Sequence, residues 1–99
     1  MGAKMGRVLA FVNIFVESGS TSAVIEELRR LPNLEELYEV AGEFDIVSTF
    51  SADDLEELRH ILVSKIMKIK GVRSTVTDIV LHSHRPSPGD PGDARAVPR

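Results

Sequence analysis

The sequence predicts an α+β domain with the element order βαββαβ. Three observations predict it. Val-, Ile- and Phe-rich runs with period-two character open and close the folding unit. Two stretches carry apolar residues at helical spacing, each entered through a Ser-, Thr- or Asp-rich turn. Only a short link around Gly42 separates the two middle strand patterns, which makes them an antiparallel hairpin.

Residues 7–17 are the first strand. Val8, Ala10, Val12, Ile14 and Val16 form one apolar face, while Leu9, Phe11 and Phe15, interrupted by Asn13, form the other. A strand apolar on both faces needs cover on both. The turn Ser18–Thr21 supplies N-cap candidates for a helix over 21–31. There Val24, Ile25, Leu28 and Leu31 share a face, Glu26 and Arg30 are spaced for an i,i+4 pair, and Pro32-Asn33 ends the run. Residues 34–41 are a more polar strand, Gly42 a tight connection and 44–50 a third strand. Ser51-Ala52-Asp53-Asp54 resembles a capping box for a helix reaching about residue 69, with Leu55, Leu58, Leu62, Ile66 and Ile69 on its apolar stripe. Lys65, Lys68 and Lys70 crowd its C-terminal end, where the dipole favours cations, and Gly71 is its C′ residue. Residues 72–82 are the last strand.

Two right-handed crossovers in one antiparallel sheet give a ferredoxin-like arrangement, four strands with both helices on one face. The domain then spans 7–83, after an N-terminal extension of residues 1–6. Residues 84–99 contain four of the five prolines and only one apolar side chain larger than Ala, Val97. Such a tail is expected to be disordered, because it cannot offset its ordering entropy by burial.

Composition narrows the function. Twelve Lys+Arg against 15 Asp+Glu leave a net charge of −3, the opposite of a surface that coats nucleic acid. The absence of Cys excludes disulfides, thiol catalysis and Cys-ligated metal. No apolar run approaches the roughly 20 residues that span a bilayer, and Asn13 and Glu17 spoil a faint signal-peptide pattern near the N-terminus. The expectation is a cytoplasmic protein without membrane attachment.

The second apolar face points to self-association. With Val8, Val12 and Val16 toward the helices, Leu9, Phe11 and Phe15 point away. On the last strand, Val72, Val76 and Val80 are expected toward the helices, and Thr75, Thr77, Ile79 and Leu81 away. A second copy packed sheet to sheet by two-fold symmetry is the simplest cover.

Catalytic chemistry is not apparent. His82-x-His84 has metal-ligand spacing but no third ligand nearby, and the acids at 53–57 suit a helix start. There is no phosphate loop, nucleophile elbow or HExxH motif. No cofactor and no enzymatic activity are expected. Two segments stand out: Gly42-Glu43-Phe44-Asp45, and Gly71-Val72 followed by Thr75-x-Thr77. Each taken alone is ordinary structure, a hairpin turn and a β-favouring strand.

Together with the element order, these segments resemble the ligand-sensing (RAM-type) domain of the Lrp/AsnC family of amino-acid-responsive transcription regulators. The likeness runs from about 7 to 82 and rests on the apolar first strand, Val40–Asp45, Asp53–Leu58 and Gly71–Thr77. It implies dimers formed through the sheets, rings of eight or ten subunits, and a free amino acid bound between dimers. By matching position, the binding residues are Ala41, Gly42, Asp45, Thr75 and Thr77. Backbone N–H groups at the glycine turn and the Thr hydroxyls would take the carboxylate. Asp45 would take the ammonium through a charge-assisted bond.

Typical members carry an N-terminal helix-turn-helix domain, whereas only six residues precede the first strand here. The chain therefore resembles stand-alone members, which would act through mixed assembly with full-length regulators and without touching DNA. The tail has no counterpart in the family pattern. Two other readings of the same fold are a small dimeric barrel enzyme of monooxygenase or isomerase type and an ACT-type regulatory domain.

Overall fold

In the computed structural model, which describes residues 7–87, the apolar run Val8–Val16 forms β1, at the centre of the sheet. It is followed by α1 (Thr21–Arg29), β2 (Leu34–Glu39), β3 (Ile46–Ala52), α2 (Leu55–His60, continuing in π-helical turns over Ile61–Ile66) and β4 (Val72–Ile79). The strand order is β2-β3-β1-β4 with every neighbouring pair antiparallel, the ferredoxin-like βαββαβ fold. The expected extension 1–6 and residues 88–99 of the expected tail lie outside the described residues. Residues 84–87 are exposed and belong to no helix or strand.

Both helices cover one face of the sheet. Val24 and Leu28 of α1 and Leu58, Ile61 and Ile66 of α2 bury against Ala10, Val12, Ile14 and Val16 of β1 and Ile46, Phe50 and Ala52 of β3. Ser48 is the polar residue on the core side of β3. It is fully buried, and its hydroxyl donates to the Val12 carbonyl at 2.8 Å, which removes the cost of an unpaired group.

The second helix departs from the expected stripe. Met67 N–H donates to the Leu62 carbonyl at 2.9 Å, an i→i+5 bond. The wider turn puts Ile61 and Ile66, five residues apart, into the core together, while Leu55 is 60% exposed and Leu62 only half-buried. The cap also moves. β3 stays paired through Ala52, opposite Val8, so Ser51 cannot begin a helix. The N-cap is Asp54, which accepts the Glu57 N–H at 2.8 Å, and Glu57 in turn accepts the Asp53 N–H at 2.6 Å. On α1 the ion pairs are Glu26–Arg29 (3.1 Å) and Glu27–Arg30 (3.2 Å), both i,i+3, in place of the expected Glu26–Arg30. α1 itself ends at Arg29, two residues early.

Gly71 lies four residues beyond the Met67 C-cap, in the turn before β4, and is not the expected C′ residue, because the helix ends at Ile66 rather than at about 69. Its φ of +104° is in the left-handed region, and a Cβ there would lie 2.8 Å from Ser20 Cβ and 2.9 Å from Val24 Cγ2. Its carbonyl accepts the Glu17 N–H at 2.8 Å, tying the end of β1 to the start of β4. Directly beyond, the pairing shifts: Val16 is opposite Val72, but Phe15 is opposite Ser74. The extra residue, Arg73, is a bulge.

That bulge overturns the expected faces of β4. Val72 packs on the core as anticipated. Past Arg73 the parity is reversed, so Thr75, Thr77 and Ile79 lie opposite Ile14, Val12 and Ala10 on the helix side. Val76 and Asp78 lie opposite Asn13 and Phe11 on the open side. A one-residue slip moves every following side chain to the other face. β4 also stops at Ile79, short of 82.

Candidate functional site

The open face of the sheet is built by the odd positions of β1 and their cross-strand neighbours. Leu9, Phe11 and Phe15 point away from the helices, as the alternation of β1 requires. Val47 and Val76 flank Asn13 from either side, and Tyr38 lies beyond Val47 on β2. Phe11 is 42% exposed, Val76 44% and Tyr38 53%, an apolar band with no covering element among the described residues.

The two ends of this face differ in chemistry. At the start of β1, Arg7 Nη2 donates to Ser51 Oγ at 2.8 Å, and Ser51 Oγ donates to Glu35 Oε2 at 2.6 Å. Thr49 Oγ1 donates to Glu36 Oε1 at 3.3 Å. At the other end the rings of Phe15 and Phe44 approach to 5.1 Å, and the Arg73 guanidinium sits 5.8 Å from the Phe15 centroid. Arg73 is the cation at this end of the face. The bulge that places it depends on pairing between distant strands, so no local pattern announces it.

The loop between β2 and β3 borders the Phe15–Phe44 end. It runs over residues 40–45 and is longer than the tight glycine turn expected, because β2 stops at Glu39 and β3 starts at Ile46. Val40 N–H donates to the Asp45 carbonyl at 3.1 Å and closes the loop. Ala41 and Gly42 are exposed at its tip. Gly42 has no positive φ, and a Cβ built there meets nothing within 4 Å. The fold of one chain therefore gives no reason for glycine at 42.

Asp45 is half-buried and already engaged. Its Oδ2 accepts the Val16 N–H at 2.9 Å, and its own N–H donates to the Ile14 carbonyl at 3.1 Å. The carboxylate keeps further acceptor sites, since two oxygens offer about four lone-pair positions. Thr75 and Thr77 are half-buried on β4, the edge strand on the opposite side of β1 from Asp45. Two strand spacings, roughly 10 Å, separate these groups within one chain. The structure brings Ala41, Gly42 and Asp45 together and Thr75 and Thr77 together, but does not join the two sets into one cleft. Two crevices along the helices contain none of the five. Among the described residues no cluster of three or more His, Asp or Glu side chains is arranged to hold a metal, and no helix is long and apolar enough to cross a membrane.

Comparison with known proteins agrees with this architecture. Residues 9–90 match the family model described as the Lrp/AsnC ligand binding domain. Over 73 residues the chain is 38% identical to an uncharacterized HTH-type transcriptional regulator of Pyrococcus abyssi, covering 74% of this chain and 46% of that protein. Escherichia coli AsnC superposes with a TM-score of 0.77 at 27% identity, covering 81% of this chain and 54% of that one. A Neisseria meningitidis transcriptional regulator, solved as a complex with L-Met, has the same fold, with a TM-score of 0.76 at 16% identity over 89% of this chain and 58% of that one. The chain thus spans about half the length of the regulators it matches. With the family model covering most of its length and the sheet order in place, this chain belongs to the Lrp/AsnC family and carries that family's ligand-binding domain.

Proposed function

We propose that this chain is an amino-acid sensor that works as an oligomer in transcriptional regulation. The observation that carries this reading is the match of residues 9–90 to a ligand-binding domain whose relatives are transcription regulators. The open apolar face supports dimerisation of sheet on sheet, and the dimers assemble further into an octameric or decameric ring. The separation of the two residue sets supports a ligand held between copies. Ala41, Gly42 and Asp45 of one copy face Thr75 and Thr77 of another across a free amino acid. The bare Gly42 backbone lets the ligand carboxylate approach N–H groups without a Cβ in the way. Asp45 offers the ammonium its remaining acceptor positions. The L-Met complex of the Neisseria regulator supports the ligand class.

In this reading the chain has no catalytic role and needs no cofactor. Ala10, Val12, Ile14, Ile46, Phe50 and Ile66 are fully buried apolar side chains between sheet and helices, where a barrel enzyme would need a buried polar group, and this counts against that alternative. The chain acts in the cytoplasm through mixed assembly with full-length Lrp/AsnC regulators, and this domain makes no nucleic-acid or membrane contact of its own.

A thermal-shift screen against the twenty amino acids, combined with light scattering, tests the proposal. Ligand at 100 times its dissociation constant stabilises the folded state by roughly 2.7 kcal/mol. For a domain of this size that raises Tm by about 10 °C or more. The expected result is one or a few amino acids that raise Tm and change the assembly size. Twenty unchanged melting curves and masses would overturn it.

A further inference from the structure

The antiparallel helices leave a crevice of about 670 Å³ between the start of α1 and the end of α2, on the side of the molecule away from the open sheet face. Three of the chain's four lysines line it: Lys65, Lys68 and Lys70. All three are exposed, and none has an ion-pair partner among the described residues. The one acid in the lining, Glu27, is held by Arg30 at 3.2 Å. The C-terminal dipole of α2 amounts to about half a negative charge and cannot neutralise three ammonium groups. The crevice is therefore strongly positive on a chain whose net charge is −3.

Other groups in the crevice suit an anion. Ser20 lines it, and its hydroxyl makes no capping bond to α1. The first turn of α1 holds no acidic residue. Ile69 adds an apolar surface. Lysine ammoniums are compact point charges, and three of them converging on one crevice suit a multiply charged phosphate group better than a single carboxylate. The volume lies in the range of small-molecule sites. We propose that this crevice is a second ligand site, for a small phosphate-bearing molecule of nucleotide size, distinct from the amino-acid site.

The test is an NMR titration of the ¹⁵N-labelled full chain with ADP at low ionic strength. The expected result is amide shifts confined to Ser20–Glu27 and Ser64–Lys70, with affinity that drops as salt shortens the Debye length. The double substitution Lys65→Gln/Lys68→Gln removes two exposed charges and is expected to weaken ADP about tenfold or more while leaving the chain folded, with the small loss of Tm that two fewer cations at the helix end imply. Absence of localised shifts, or equal ADP binding by the double variant, would overturn the proposal. Phosphatidylglycerol vesicles and a short DNA duplex are the competing arms. If either binds these lysines and ADP fails to displace it, the crevice is a patch for a polyanionic surface and the small-molecule proposal fails.

Discussion

The Asp45 carboxylate accepts the Val16 N–H at 2.9 Å, at the point where β1 loses register with β4. On the other side of β1 the pairing with β3 ends at Ile14, and the Asp45 side chain takes the place of the next ladder acceptor, so the N–H of buried Val16 stays satisfied. Asp45 therefore holds the end of β1 as well as bordering the proposed ligand.

This dual position makes Asp45→Ala and Asp45→Asn informative together. A hydrogen bond to a charged group contributes about 1.5–3 kcal/mol, and half-burial places Asp45 toward the lower end. Asp45→Ala is expected to lower Tm at roughly 4–8 °C per kcal/mol. Asp45→Asn keeps an acceptor for Val16 and should lose about half as much. Both are expected to lose the amino-acid response, because neither offers the ammonium a charge. An Asn variant that keeps both its Tm and its full response would remove Asp45 from the proposed site.

Two glycines should behave oppositely. At Gly71 an alanine must adopt a φ near +104° and push its Cβ against Ser20 and Val24. The left-handed conformation costs roughly 1–2 kcal/mol and overpacking adds about 1–3. Gly42→Ala meets nothing and should leave stability within about 0.5 kcal/mol of the parent, while impairing amino-acid binding. Urea denaturation of the two variants, beside the ligand screen, checks both statements.

Val76 and Ile79 are 44% and 40% exposed but point to opposite faces of β4. Val76→Glu places a charge on the open face and is expected to reduce the scattering mass toward the 10.9 kDa of one chain. Ile79→Glu should leave the sheet-to-sheet dimer intact. The reverse outcome would mean that β4 pairs without its bulge.

Removing the Asp54 carboxylate exposes one N–H at the start of α2. Asp54→Ala is expected to cost about 1 kcal/mol and to speed amide exchange at Glu57. Protection at Glu57 that did not change would place the cap elsewhere.

Much of this molecule was legible in the one-dimensional pattern. The period-two face of Val8–Val16 and the helical spacing in 21–31 are local signals, and each element they mark is present. The family resemblance was likewise carried by contiguous segments, and the match over residues 9–90 bears it out. Cap and ion-pair details slipped by one to three residues because Ser and Asp neighbours, or adjacent Glu and Arg pairs, are locally near-equivalent. Pairing of β3 through Ala52 chose Asp54.

Sequence alone determined the βαββαβ order and the two-sided apolar character of β1, because both follow from residue type and short-range spacing. Only the tertiary structure decided which face Thr75, Thr77 and Val76 occupy, since that depends on one unpaired residue, Arg73, between strands some sixty positions apart. It also decided that Asp45 binds Val16 and that Lys65, Lys68 and Lys70 meet the start of α1 in one crevice. Those contacts join elements distant in the chain, and the energies that select them arise only when strands pair and helices pack.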